Sequence, residues 1–542
     1  MTHYEVESFT NAESDVLRRY VTNLDQPVFA LVNLPEVVKG AMFARYSRSN
    51  KSLRRLLLDE FIDDLDITGD ATIDATAGLA RAEDLYRRVF VEYGDDSIAQ
   101  LGGVHLACEQ ASNLLTKVLE RGRLMSYLEQ STRYLAYNER RGGRYRYFRP
   151  PEILSSEVGS RYVGTVDRMF DAYGEMVPAM QAWLGARLRE AGGPDDSITD
   201  LAAKRAVRAK AFDATRGLLP AASLSNVGIF GSGQGYEALL LRMRAHPLAE
   251  ARDYSQMMLT ELRKVIPSFL QRVDQPERGG AWTDYLRASR ESMAELADDL
   301  FGDDEAQGGP EVHLLDWDPA GEEKLLTAML FEHTHLSETR LEAEVAEMTD
   351  AQRAEIVRRY VGERGNRRHR PGRALERIDY RFEVLGDYGS FRDLQRHRLL
   401  TVVWQRLTPH YGYAVPDDVA AAGEGDAYEE VLDISAELYD DIEEHLGPDP
   451  ASYAVAMAHR IRYVMQFNAR EAMHMLELRT QPQGHTDYRR ICQKMKRQIE
   501  ERAGHRTVAS MLSFVVEGDA AEGRLTAERS AQARRPARRR SE

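Results

Sequence analysis

Residues 121–134 read RGRLMSYLEQSTRY and bring Arg121, Arg123, Ser126, Glu129, Ser131, Arg133 and Tyr134 within fourteen residues. Guanidinium forks and hydroxyls at this density are the donors that hold an anion. Alone, an R-x-R followed by serine is more often a solvated helix face. A second basic triplet, Arg396-His397-Arg398, opens RHRLLTVVWQRLTP at 396–409, and Thr401 follows it at the spacing at which Ser126 follows the first. In FNAREAMHMLELR at 467–479, Asn468, Arg470 and His474 are spaced by two and four, which sets them on roughly one helical face.

Elements must position these groups. Apolar residues at three- and four-residue spacing predict helices in KSLRRLLLDEFIDDL (51–65) and DYSQMMLTELRKVIPSFLQRV (253–273). Alternation in RIDYRFEVLG (377–386) predicts a half-buried strand. The acidic, glycine-rich FGDDEAQGGPE at 301–311 reads as a linker. Across it the chain repeats itself: at a constant offset, Leu239, Leu241, Arg242, Arg252, Gln256 and Met258 meet Leu476, Leu478, Arg479, Arg489, Gln493 and Met495. Upstream, RRVFVEYG (87–94) is similar to RRYVGERG (358–365), in the same order. The expected architecture is a tandem duplication of a predominantly helical α+β domain. Its first repeat spans 1–295, the linker 296–318, the second repeat 319–518 and a disordered basic tail 519–542. Two such repeats predict a pseudo-twofold, as in a homodimer fused into one chain.

Bulk properties exclude several classes. A chain of 542 residues is too long for one ordinary core. A net charge of −15 argues against a generic nucleic-acid binder, and the basic run ARRPARRRSE is confined to the tail. No apolar stretch approaches a membrane span, and MTHYEVESFTNAESDVL has no secretory pattern. Two cysteines, Cys108 and Cys492, make neither a disulfide framework nor a four-ligand zinc site. They read as small buried groups in a reduced, cytoplasmic protein, with no metal expected.

The pattern R-x-R-x-x-S-x-x-E-x-S-x-R-Y resembles the flavin-dependent thymidylate synthase signature R-H-R-x-x-S-x-N-E-x-S-x-R-Y, with Gly122 replacing the histidine and Leu128 the asparagine. FARYSRS (43–49) is similar to that family's A-R-x-S element and TRGLLP (215–220) to its A-R-x-x-L-P element. The second repeat restores the full triplet and carries the N-x-R-x-x-x-H-x-x-x-x-R helix through Asn468, Arg470, His474 and Arg479. It departs where Trp404, Arg406 and Thr408 stand for Glu, Ser and Arg. The first repeat has Gly231, Gly233 and Glu237 in place of that helix motif.

The resemblance implies conversion of dUMP to dTMP with methylenetetrahydrofolate, FAD and NADPH, at a site shared between the two repeats. Ser131, Arg133 and Arg216 would hold dUMP, with Glu129, Gln130, Arg242 and Arg479 in the substrate set. Ser47, Glu376, Arg396, His397, Arg398, Asn468, Arg470 and His474 would hold FAD. Ser131 and Arg396 would lie nearest the chemistry. The implied assembly is a homodimer forming a pseudo-tetramer. The motif losses leave two alternatives open: a non-catalytic flavin- or nucleotide-binding relative, and a C5-methylase of another pyrimidine nucleotide.

Overall fold

A computed structural model describes residues 4–34, 39, 42, 43, 46, 49–61, 103–133, 135–190, 201–302 and 306–518. Two four-stranded antiparallel sheets carry the architecture. The first contains β1 (Val28–Leu31), β2 (Gly103–Ser112), β3 (Met125–Glu129) and β4 (Leu224–Ser232) in the order β1-β2-β4-β3. The second contains β5 (Val312–Trp317), β6 (Asp379–Asp387), β7 (Thr401–Trp404) and β8 (Arg460–Asn468) in the order β5-β6-β8-β7. Identical strand order, with a helix following each central strand in both sheets, is the tandem duplication of a mostly helical α+β domain.

The helices that matter below are, in chain order, α1 (Asn113–Leu119), α2 (Leu201–Thr215), α3 (Gly233–Arg244), α4 (Ala249–Arg263), α5 (Ala281–Phe301), α6 (Tyr388–Leu394), α7 (Ala469–Arg479) and α8 (Thr486–Glu501). In both sheets the two central strands run straight into helices. The four corners are made alike: Ser112, Ser232, Asp387 and Asn468 each sit in extended backbone and accept a hydrogen bond from the N–H three residues on. A short polar side chain there satisfies a donor that the first helical turn leaves free. In β8 the alternation is strict: Ile461, Tyr463, Met465 and Phe467 are buried while their neighbours face outward. Phe382 of β6 stacks on Phe467 at 5.6 Å between ring centroids.

Register refines the repeat. Phe230 pairs with Ser126 as Gln466 pairs with Thr401, so β4 and β8 are offset by 236, as are the caps Ser232 and Asn468. The offset of 237 holds in the following helix, where Met258 and Met495 are both buried. One residue therefore slips between the two helices.

Several expectations change. The helix predicted at 253–273 stops at Arg263, and Pro267 opens a separate 3-10 turn, because proline has no N–H to continue the ladder. The helix predicted at 51–65 runs from Leu53 to Leu56, then widens into a π-turn over Leu57–Phe61. The linker is narrower than 296–318: α5 continues to Phe301, and β5 pairs with β6 from Val312 onward. The segment RRVFVEYG, the tail, Ser47 and Tyr134 lie outside the described residues.

The chain forms two compact units that are not its two halves. The first comprises 1–174, 219–305 and 433–455, and the second 175–218, 306–432 and 456–542. Each unit thus takes a segment from the other half of the sequence. In the first, Tyr453 donates to Glu250 at 2.9 Å and the Ala221 N–H donates to the Val455 carbonyl at 2.8 Å. In the second, the Ala458 N–H donates to the Gly217 carbonyl at 3.0 Å and Lys210 pairs with Asp418 at 2.9 Å.

Candidate functional site

The second unit gathers charge around the corner between β6 and β7. Asp393, near the end of α6, is buried and faces three guanidinium groups. Its Oδ2 accepts from Arg216 Nη1 at 3.3 Å, and its Oδ1 pairs with Arg396 and lies 3.7 Å from Arg479 Nη1. Arg216 is 3% exposed, and its Nη2 has no acceptor among the described residues. It lies against Gly389, where a Cβ would come within 3.3 Å of Nε, so the missing side chain makes room for the guanidinium. Arg479 lies over the Tyr488 ring.

His397 sits behind this group. Arg479 Nε donates to His397 Nε2 at 2.9 Å, which leaves the ring proton on Nδ1 to donate to Glu471 Oε1 at 2.9 Å. Burial, with the Arg479 charge beside it, lowers the His397 pKa to about 4, so the ring is neutral near pH 7. Glu471 is held down at about 2, because bonds to His397 and His474 outweigh its burial. The two imidazoles meet edge to face at 5.2 Å, and His474 Nδ1 stands 3.2 Å from Glu471 Oε2. Ligand atoms of His397, Glu471 and His474 lie within 4.8 Å of one another.

Other predicted flavin-side residues lie further out. Arg470 pairs with Glu376 at 3.4 Å, Glu376 also takes Arg373 at 2.8 Å, and Arg398 is exposed. Asn468 caps α7 by accepting from the Glu471 N–H at 2.9 Å. It thereby positions the carboxylate that orients His397. On the other end of α6, a cavity of about 540 Å³ is lined by Asp213, Asp387, Arg460, His485, Asp487 and Arg490, among others. Burial and the nearby Asp487 raise the Asp387 pKa, while Arg216 opposes the rise.

The first unit holds the serine loop. Glu129 ends β3, and its carboxylate is 3.3 Å from Lys117 Nζ, which also pairs with Glu120 at 2.7 Å; all three are buried. Gln130 donates to the Ser49 carbonyl at 2.6 Å and accepts from Arg146 at 3.2 Å. Ser131 Oγ accepts from the Arg133 N–H at 3.2 Å, closing a local turn, and Arg133 is buried. Arg242 is half-buried; desolvation lowers its pKa, and Arg121 nearby adds to that.

Gly122 has a physical explanation. The Tyr127 hydroxyl accepts from the Gly122 N–H at 2.9 Å and donates to its carbonyl at 3.1 Å, and a Cβ at Gly122 would stand 2.5 Å from that oxygen. In the second repeat the register puts Val402 where Tyr127 stands, and His397 has room.

The predicted residues therefore divide between units. Glu129, Gln130, Ser131, Arg133 and Arg242 belong to the first, and Glu376, Arg396, His397, Arg398, Asn468, Arg470, His474 and Arg479 to the second. Arg216, grouped by resemblance with Ser131 and Arg133, packs in the second unit beside Arg396 and Arg479. Sequence reasoning passed over Asp393, Glu471 and Lys117. Asp393 had a signal, an acid three residues before an arginine triplet. Glu471 had another, the third residue of a capped helix.

The description "thymidylate synthase complementing protein" matches residues 40–268 and again 313–504. The chain is 40% identical to a UPF0159 protein of Chlamydia pneumoniae, covering 91% of this chain and 93% of that one. It is 37% identical to a UPF0159 protein of Chlamydia muridarum (96% and 98% covered), and 32% identical to one of Thermoplasma acidophilum (90% and 97% covered). With the repeated strand order, these matches show that the chain belongs to the thymidylate synthase complementing protein family and carries its domain twice.

Proposed function

We propose that the protein is a flavin-dependent, thymidylate synthase-like methyltransferase that converts dUMP to dTMP with methylenetetrahydrofolate and NADPH, using both repeats at one site. The observation that carries this reading is Arg216. It comes from the first half of the sequence, yet it shares the Asp393 carboxylate with Arg396 and Arg479 of the second repeat. The residues fit an anionic, acceptor-rich group: Arg216 Nη2 is a buried donor without an acceptor among the described residues, and a reduced flavin is negative over N1 and O2. FAD, when bound, would supply the redox chemistry, and methylenetetrahydrofolate would supply the one-carbon unit.

The chain's own part is orientation and electrostatics. Arg396 and Arg479 keep fixed positive charge at the site, with Asp393 setting their directions. His397 stays neutral, holding its proton at Nδ1, so it orients Arg479 without adding charge. No cysteine nucleophile is available: both thiols are fully buried, and burial pushes Cys492 up to about 12 and Cys108 higher still.

The test is tritium release from 5-tritiated dUMP by the full chain with FAD, NADPH and methylenetetrahydrofolate. We expect release, and at least a hundredfold loss in Arg133→Ala and in Arg396→Ala separately. Half-activity in either variant would mean that each repeat owns its own site. A protein that takes up no FAD and releases no tritium overturns the reading altogether. FAD uptake without tritium release supports the non-catalytic relative, and release from 5-tritiated UMP instead supports a different pyrimidine substrate.

A further inference from the structure

The described residues include fifteen exposed large hydrophobic side chains, and six of them, Trp282, Tyr285, Met293, Leu296, Leu300 and Phe301, lie on the single helix α5. Scattered exposed leucines need no explanation, but this concentration does. The N-terminal turns of α5 rest on their own unit: Thr283 is buried and donates to the Gly279 carbonyl at 2.7 Å, and Arg290 donates to the Ala245 carbonyl. From Glu291 to Phe301 every residue is exposed. A helix carrying an apolar stripe with no described residue against it lacks the packing that normally stabilises it.

The stripe is self-complementary. Trp282, Leu286, Ser289, Met293, Leu296 and Leu300 follow one another at steps of four, three, four, three and four, which is a coiled-coil seam. The seam is also symmetric about Glu291: Trp282 and Leu300 are equidistant from it, as are Leu286 and Leu296, and Ser289 and Met293. Two copies laid antiparallel therefore bring Trp282 onto Leu300, Leu286 onto Leu296 and Ser289 onto Met293, small against large.

Charge selects the same direction. The C-terminal half carries Glu291, Glu295, Asp298 and Asp299, whereas the N-terminal half carries Arg287 and Arg290 against Asp284. Parallel pairing stacks acid on acid. Antiparallel pairing lays each acidic half beside the other copy's arginines and opposes the two helix dipoles. The exposed apolar side chains of two such helices amount to on the order of 1,000 Å², the lower bound for a stable interface.

We propose that α5 is a homodimerisation helix, and that its partner is α5 of a second copy of this chain, antiparallel across a twofold. The interface is isologous and closes at two chains. It uses only side chains of the first unit and does not depend on the catalytic reading.

Sedimentation velocity on the full chain at tens of micromolar should give twice the 61.5 kDa of one chain. The triple variant Met293→Glu, Leu296→Glu, Leu300→Glu should give the monomer mass while keeping a cooperative thermal transition, since all three side chains are exposed in the single chain. A monomeric wild type overturns the proposal, as does a triple variant that remains dimeric.

Direction is read by cysteine crosslinking, against a quiet background because Cys108 and Cys492 are both buried. Trp282→Cys mixed with Leu300→Cys should form a mixed disulfide, while neither variant crosslinks to itself. Self-crosslinked Trp282→Cys without the mixed species means a parallel pair and overturns the antiparallel assignment.

Discussion

Asp393 sets the charge balance of the second unit, because one buried carboxylate faces Arg216, Arg396 and Arg479. Removing it leaves three cations without their shared counter-charge. Asp393→Ala should therefore cost about 3–5 kcal/mol in denaturant unfolding, with Asp393→Asn costing less because it keeps acceptors for the guanidinium groups. Glu250 makes the opposite case in the first unit. It is fully buried, accepts from the Ser112 N–H at 2.8 Å and from the Ser112 and Tyr453 hydroxyls, and burial raises its pKa to about 7. A carboxyl raised in the folded state contributes stability below its unfolded pKa near 4.5, and that contribution is lost as pH rises through about 7. Glu250→Gln keeps an acceptor and cannot ionise. Its unfolding free energy relative to wild type should rise between pH 5 and pH 8, by up to about 3 kcal/mol; a flat difference across that range would show that Glu250 does not titrate there.

At the scale of elements, the strand-to-helix corner is the reused part, and the turn after its helix is where the two repeats diverged. In the first repeat the Tyr127 hydroxyl clamps the backbone of Gly122, and Lys117 is neutralised by Glu120 and Glu129. In the second, the equivalent position admits His397, and the charge is arginine against Asp393. Gly122→His should thus destabilise the first unit by about 1–3 kcal/mol, through overpacking against Tyr127. Tyr127→Val should relieve much of that cost, so the double variant is more stable than the two single losses predict. Equal, additive losses measured in urea would show that the hydroxyl is not what excludes a side chain at residue 122.

For the whole molecule, the units cross the sequence repeats. Residues 175–218 complete the second unit and 433–455 the first. Cutting the chain after residue 305 therefore takes from each product a segment whose buried groups it needs, such as Tyr453 on Glu250. We expect fragments 1–305 and 306–542 to be insoluble or partly unfolded when expressed singly, and to recover a cooperative thermal transition when co-expressed. Cooperative folding of either fragment alone would mean that the exchanged segments are dispensable.

The sequence by itself determined the family, the duplication and most local structure, because these depend on near neighbours. Alternation wrote the strand at 379–387, within a residue or two of the predicted 377–386, and the order of motifs wrote the tandem repeat. Spacing along the helix placed Arg470 and His474 on α7, although Asn468 turned out to be its cap. Tertiary structure alone decided what each charge faces. His397 was legible only as the middle of a basic triplet, yet it is buried against Glu471 and Arg479 from a helix more than seventy residues downstream. Arg216 was legible as a ligand-binding arginine, but its partner, Asp393, lies 177 residues away. The pairing of buried charges is fixed by desolvation and distance in the folded chain, and neither quantity is written in residue order.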